Sequence, residues 1–161
     1  MRRLYLLCLL GALGVCVYAS DVRKNNLAFN IISQRYRIAE ATYLEQEESA
    51  RLLKAPIPSH FWHKGRRYKV SVIGNSAFGG CWKLHSVSIP TTVTTLGRGA
   101  FAWCISLEEI ELPESICVIA EDAFSSCANL KAIYVPVGHK ERIQNLLPKE
   151  LKYLVKEKSN K

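Results

Sequence analysis

The sequence predicts an α+β repeat solenoid: three 23-residue units over residues 70–136, with an N-terminal β-rich cap and hairpin at 20–69 and a C-terminal helical cap and tail at 137–161. Three observations carry that expectation. One block of the chain copies itself in register. Each copy holds a short alternating apolar run that ends at a proline. The segments on either side lose the period but keep the composition of core-forming strands and a helix.

Ala77-Phe78 recurs as Ala100-Phe101 and Ala123-Phe124, and Cys81, Cys104 and Cys127 keep the same step of 23 residues. Leu84/Leu107/Leu130, Val87/Ile110/Ile133, Ile89/Leu112/Val135 and Pro90/Pro113/Pro136 follow, with Val70/Val93/Ile116 and Ile73/Leu96/Ile119 in phase upstream. Such a period with spaced leucines is the signature of a leucine-rich-repeat solenoid. Within it, Leu84-x-x-Val87-x-Ile89 reads as a strand with alternating inward side chains, stopped by Pro90, which has no N–H for a ladder. One such unit cannot bury its apolar face and must stack on its neighbours. Phe78, Phe101 and Phe124 then form a ladder through the core. Ser76, Gly99 and Asp122 precede the Ala-Phe pairs and are favoured N-cap residues, which predicts a short helical or 3₁₀ piece on the convex side.

The motif Ile73-Gly74-x-x-Ala77-Phe78-x-x-Cys81-x-x-Leu84-x-x-Val87-x-Ile89-Pro90 resembles the BspA-type leucine-rich repeat of bacterial surface and secreted proteins. Leu96-Gly97 and Ile119-Ala120 repeat its start, with Ala120 departing from the usual glycine. The resemblance covers residues 70–136 strongly. It extends loosely to a hairpin at Phe61–Val70 and to Val135-Pro136-x-Gly138-x-Lys140-Glu141 with Leu147-Pro148 downstream. It implies attachment or protein-binding roles and names no ligand.

Solenoids need shielded ends. Leu52 to Ile57-Pro58 repeats the spacing of Leu84 to Ile89-Pro90, a degenerate leading strand in which Pro56 suits only an edge. Phe29–Ile32 and Tyr36–Ile38 have strand composition around Gln34-Arg35, so a hairpin is expected. Ile143, Leu146 and Leu147 have helical spacing up to Pro148; Leu151, Tyr153 and Val155 alternate as a last strand, and Lys156–Lys161 reads as a frayed tail.

The first 19 residues read as a signal peptide. Arg2 and Arg3 precede a 14-residue apolar run, Leu4–Val17, and Val17-Tyr18-Ala19 offers a cleavage site. The run is shorter than the ~20 residues a membrane span needs. The competing reading is a lipoprotein signal with a lipid anchor at Cys16, although Val15 is a poor residue before it. Either way the expected location is extracytoplasmic: secreted, cell-surface or periplasmic. The net charge is +8. Residues 21–69 carry ten Lys/Arg against five acids, residues 70–136 three against six, and residues 137–161 seven against three. Basic flanks around an acidic middle read as solvated surfaces, without the one-faced pattern of a nucleic-acid binder.

No chemistry of catalysis is expected, and no cofactor or metal. Cys81, Cys104 and Cys127 share one core column and lack the close pairing of zinc ligands. Cys117 stands outside that column as a free thiol or a disulfide partner. His60 and His63 flank Phe61-Trp62 without a nearby carboxylate. Glu108, Glu109 and Glu111 lie on one strand, whereas glycosidase carboxylates face each other across a cleft. Binding is therefore expected on the concave strand face: Ser86, Ser88, Glu109, Glu111, Ala132 and Tyr134, acidic at its centre, with Tyr134 as anchor. The function so predicted is non-catalytic protein–protein interaction or adhesion. The alternative is carbohydrate binding through exposed Trp62, Trp82 and Trp103.

Overall fold

A computed structural model describes residues 22–24, 27–42 and 50–158. The expected signal segment 1–19, Cys16 included, lies outside the described residues. In chain order the strands are β1 (Val22–Lys24), β2 (Leu27–Ser33), β3 (Ile38–Thr42), β4 (Lys54–Pro56), β5 (His60–His63), β6 (Arg66–Ile73), β7 (Ser86–Ser88), β8 (Thr95–Leu96), β9 (Glu109–Glu111), β10 (Val118–Ile119), β11 (Ala132–Val135) and β12 (Val155–Glu157). Among the described residues, helix is confined to α1 (Lys140–Gln144) and a 3₁₀ segment (Lys149–Leu154). The described chain is thus mostly strand, with few helices and no closed barrel.

Each regular coil contributes two short parallel strands. On one side β6, β8 and β10 pair at the 23-residue step, Val72 with Thr95 and Thr95 with Val118. On the other, β9 and β11 pair at the same step, Ile110 with Ile133. The columns that set the period are buried between these sides: Phe78, Leu84, Leu96, Phe101, Leu107 and Ile133 are all essentially inaccessible. The three phenylalanine rings form the expected ladder, with centroids 5.3 and 5.6 Å apart and planes within 6° of parallel. Each such side chain removed from water contributes roughly 1.5–3 kcal/mol.

The helical pieces expected at the Ala-Phe pairs are replaced by stacked turns. Ser76 and Gly99 have φ of +52° and +57°, left-handed values that an N-cap does not adopt. Alternate N–H groups leave the coil: those of Ser76, Phe78 and Gly80 donate to the carbonyls of Arg98, Ala100 and Ala102 in the next coil. The groups between, Ala77, Gly79 and Cys81, donate three residues back within their own coil. A helix would direct every N–H along its own axis. Here half of them instead tie neighbouring coils together. The coils approach so closely that a Cβ on Gly97 would lie 2.7–2.8 Å from Asn75 and the Gly74 backbone.

The stack extends past the three copies visible in the sequence. β4 pairs in parallel with β7, Ala55 with Val87, an offset of 32 residues. The nine residues beyond the repeat length are taken up by the β5–β6 hairpin, whose Lys64-Gly65 turn has positive φ at both positions, as a two-residue hairpin of the type I′ class requires. Among the described residues Pro56 lies on a strand paired on one side only, as its missing N–H demands. The expected β2–β3 hairpin forms around residues 34–37, and β3 runs parallel to β6, so the N-terminal sheet is continuous with the coils. At the other end the last strand is β12, later than expected. Leu151 and Tyr153 belong to the 3₁₀ segment, and Lys156 and Glu157, read as tail, pair with Tyr134 and Val135. The reason is tertiary: β11 has an open edge that the next extended segment fills.

Candidate functional site

Alternation along short parallel strands puts every second side chain on the outer side. Pro56, Ser88, Glu111, Tyr134 and Lys156 come from five successive strands at equivalent positions, and Lys54, Ser86, Glu109 and Ala132 from four. The array is interrupted once. β4–β7 and β9–β11–β12 are separate hydrogen-bonded sheets, and β7 lies beside β9 without pairing. Two concavities flank that seam. One, of about 560 Å³, is lined by His85, Ser86, Glu108, Glu109, Tyr134 and Lys158 among others; the second, of about 490 Å³, includes Ser88, Thr91, Glu111 and Glu114.

Of the six residues predicted for this face, Ser86, Ser88, Glu109 and Glu111 are exposed and Tyr134 is half-buried. Ala132 is the exception. It stands in register with Glu109 but is only 1% accessible, so it supports the face and does not offer a surface. A methyl group between larger neighbours on a sheet is easily covered, which strand alternation does not reveal.

The expected acidic centre is balanced in part in the folded chain, at Glu111 and beside it at Glu108. Lys158 Nζ lies 2.6 Å from Glu111 Oε2, and Lys131 Nζ lies 2.8 Å from Glu108 Oε2. The Lys131 hydrogen bond and charge hold the Glu108 carboxyl below its ordinary range. The Tyr134 hydroxyl donates to Glu109 Oε1 at 3.4 Å. Lys156 and Lys158 were not among the predicted site residues because the tail carries no repeat spacing. Their alternation with Val155 and Glu157 was the available signal.

The cysteine column does more than fill space. The thiols of Cys104 and Cys127 donate to the carbonyls of Phe78 and Phe101 in the preceding coil, at 3.1 and 3.0 Å. Burial pushes the Cys81 and Cys127 thiols up to about 11, and Cys104 higher still. All four described cysteines are free, Cys117 being the exposed one. Among the described residues no group of three or more His, Cys, Asp or Glu is arranged to hold a metal ion. No described helix is long and apolar enough to cross a membrane. Trp62, Trp82 and Trp103 are 64%, 50% and 63% exposed, and they occupy different positions in their coils.

The profile of the BspA type leucine rich repeat region matches residues 67–147 in six copies. The chain belongs to the BspA-type leucine-rich-repeat family. Its solved relatives are bacterial. A leucine-rich repeat protein of Bacteroides capillosus is 29% identical, with a TM-score of 0.71 over 87% of this chain and 99% of that one. A leucine-rich repeat protein of Bacteroides ovatus is 30% identical, with a TM-score of 0.63 over 71% of this chain but only 31% of that one. The Treponema pallidum leucine rich repeat protein, 24% identical with a TM-score of 0.57 over 71% of this chain and 53% of that one, shares the fold. No curated protein matches the sequence. BspA-type repeats are generally protein-interaction scaffolds of surface or secreted bacterial proteins.

Proposed function

We propose that this BspA-type chain is a non-catalytic adhesion or protein-interaction module, exported by its first 19 residues and working at or beyond the cell surface. Its solenoid is α+β in organisation. The β1–β3 and β5–β6 hairpins shield one end, and α1, the 3₁₀ segment and β12 shield the other. The partner is a protein, held on the concave face by Ser86, Ser88, Glu109, Glu111 and Tyr134, with Ala132 beneath them.

The observation that carries this reading is the alignment of one side-chain row across five successive strands, with Tyr134 flanked by Glu111 and Lys156 in register. A rigid sheet presents such a row at no ordering cost on binding. The ion pairs on it are exposed and exchangeable, worth little to stability and therefore free to re-pair with a partner's charges.

The test is binding of envelope and extracellular proteins to the exported chain, repeated with Tyr134→Ala and Glu111→Lys. A saturable protein partner lost in both variants, with unchanged melting, supports the concave site; unchanged affinity removes it. Intact mass of the exported chain separately tests cleavage after Ala19 against lipid attachment at Cys16.

A further inference from the structure

From Ser49 to Leu107 the chain contains eight Lys/Arg and no Asp or Glu. Half of those cations, Lys64, Arg66, Arg67 and Lys69, stand on the β5–β6 hairpin, the very insertion that the coil geometry does not need. Residues directly opposite on antiparallel strands share a face. Phe61 and Tyr68 face inward, where their rings stack 5.8 Å apart and Phe61 meets Phe29 at 4.9 Å. The opposite face therefore carries His60 beside Lys69 and Trp62 beside Arg67. Trp62 is exposed there, as are Arg67 and Lys69.

Among the described residues nothing neutralises these cations. Arg98 pairs with Asp122, Lys131 with Glu108 and Lys158 with Glu111, whereas Lys64, Arg66, Arg67 and Lys69 meet no carboxylate among the described residues. Partial burial lowers the pKa of His60, and the neighbouring charges of Arg67 and Lys69 lower it further.

We propose that the outer face of the β5–β6 hairpin binds an anionic polysaccharide, with Trp62 stacked on a sugar ring and Arg67 and Lys69 pairing with its sulfate or carboxylate groups. A flat two-stranded face with one aromatic between cations suits a linear charged chain laid along it. A membrane surface is disfavoured because the hairpin tip is Lys64-Gly65 and Trp62 sits two residues behind it. A cation-lined edge that merely deters strand pairing would not need an exposed tryptophan. The site is separate from the concave face and stands or falls independently of it.

The experiment measures retention of the full chain on immobilised dextran sulfate and on neutral dextran. Wild type is expected to bind the former alone, and R67E/K69E to weaken it by at least about tenfold, mainly through lost charge complementarity. W62A should weaken it by about fivefold through lost stacking on the ring. K140E/K149E, a reversal of equal charge at the far end, should stay within about twofold, and Y134A should bind as wild type. R67Q supplies the reading if the double reversal does not fold. Equal losses in K140E/K149E and R67E/K69E, or unchanged binding in R67E/K69E, overturn the site. Equal binding of duplex DNA or phosphatidylglycerol vesicles with W62A unaffected also overturns it, making the hairpin a general polyanion patch.

Discussion

The regular coils at residues 70–136 and the two ends of the stack reach the same parallel geometry by different means. In the coils, one side chain per column repeats at a fixed step, so the same contact recurs from coil to coil: phenylalanine on phenylalanine, cysteine thiol on phenylalanine carbonyl. At the ends the column is broken. The leading coil replaces Val87 with Ala55 and gains a hairpin, and the trailing coil places α1 where a strand one step after β8 and β10 would fall. A repeat in the middle sees identical neighbours on both sides, so one solution serves all copies. An end repeat has one neighbour and water, and has to supply its own cover.

The sharpest way to break that comparison is at the aromatic core. Phe101 has a stacked ring on each side, and Phe101→Ala should cost about 3–5 kcal/mol, read by urea or thermal unfolding. Phe61→Ala in the hairpin should cost less globally and show mainly as faster hydrogen exchange over β5 and β6. Equal global losses would mean that hairpin and coils unfold as one unit.

Next comes coil spacing. Gly97→Ala forces a methyl against Asn75 and the Gly74 backbone, a cost of about 1–3 kcal/mol. Gly65→Ala meets no atom within 4 Å and bears only the strain of a φ of +70°, about 1 kcal/mol. Denaturation midpoints of the two variants rank close approach against backbone strain.

A smaller effect belongs to the trailing end. The Arg142 guanidinium donates to the carbonyls of Ile116 and Glu114, covering acceptors of the coil before it. Arg142→Met should lose about 1–2 kcal/mol, and Arg142→Lys should recover only part of it, since one ammonium cannot match the fork.

The smallest effect is electrostatic. Lys131 depresses the Glu108 pKa in the folded chain. Its contribution is present above the ordinary carboxylate value of 4.5 and is lost as pH falls through the depressed one. Stability of the wild type should therefore drop slightly more than that of Lys131→Met below that value, and the difference should vanish in high salt.

Much of this was legible from spacing. The period, the buried columns, the phenylalanine ladder and the outward placing of Ser86, Ser88, Glu109, Glu111 and Tyr134 all follow from local alternation and repetition. The turns at Ser76 and Gly99 were misread as helix starts. Their residue types suit an N-cap, but the preference was overridden by carbonyls in the next coil that no local pattern displays. Ala132 was misplaced for a related reason, since burial depends on what lies beside a side chain as well as on which way it points.

By itself the sequence determined the repeat unit, because a 23-residue step with fixed apolar columns has one economical way to bury them, by stacking. Only the tertiary structure decided how far the stack continues and what its surface carries. It recruited β4 and β12 to open strand edges, set Lys158 on Glu111 and Lys131 on Glu108, and left the cations of the β5–β6 hairpin without a carboxylate partner among the described residues. Pairing between distant segments and between charges is settled by which edges and faces meet in space, and that information is spread over the whole chain.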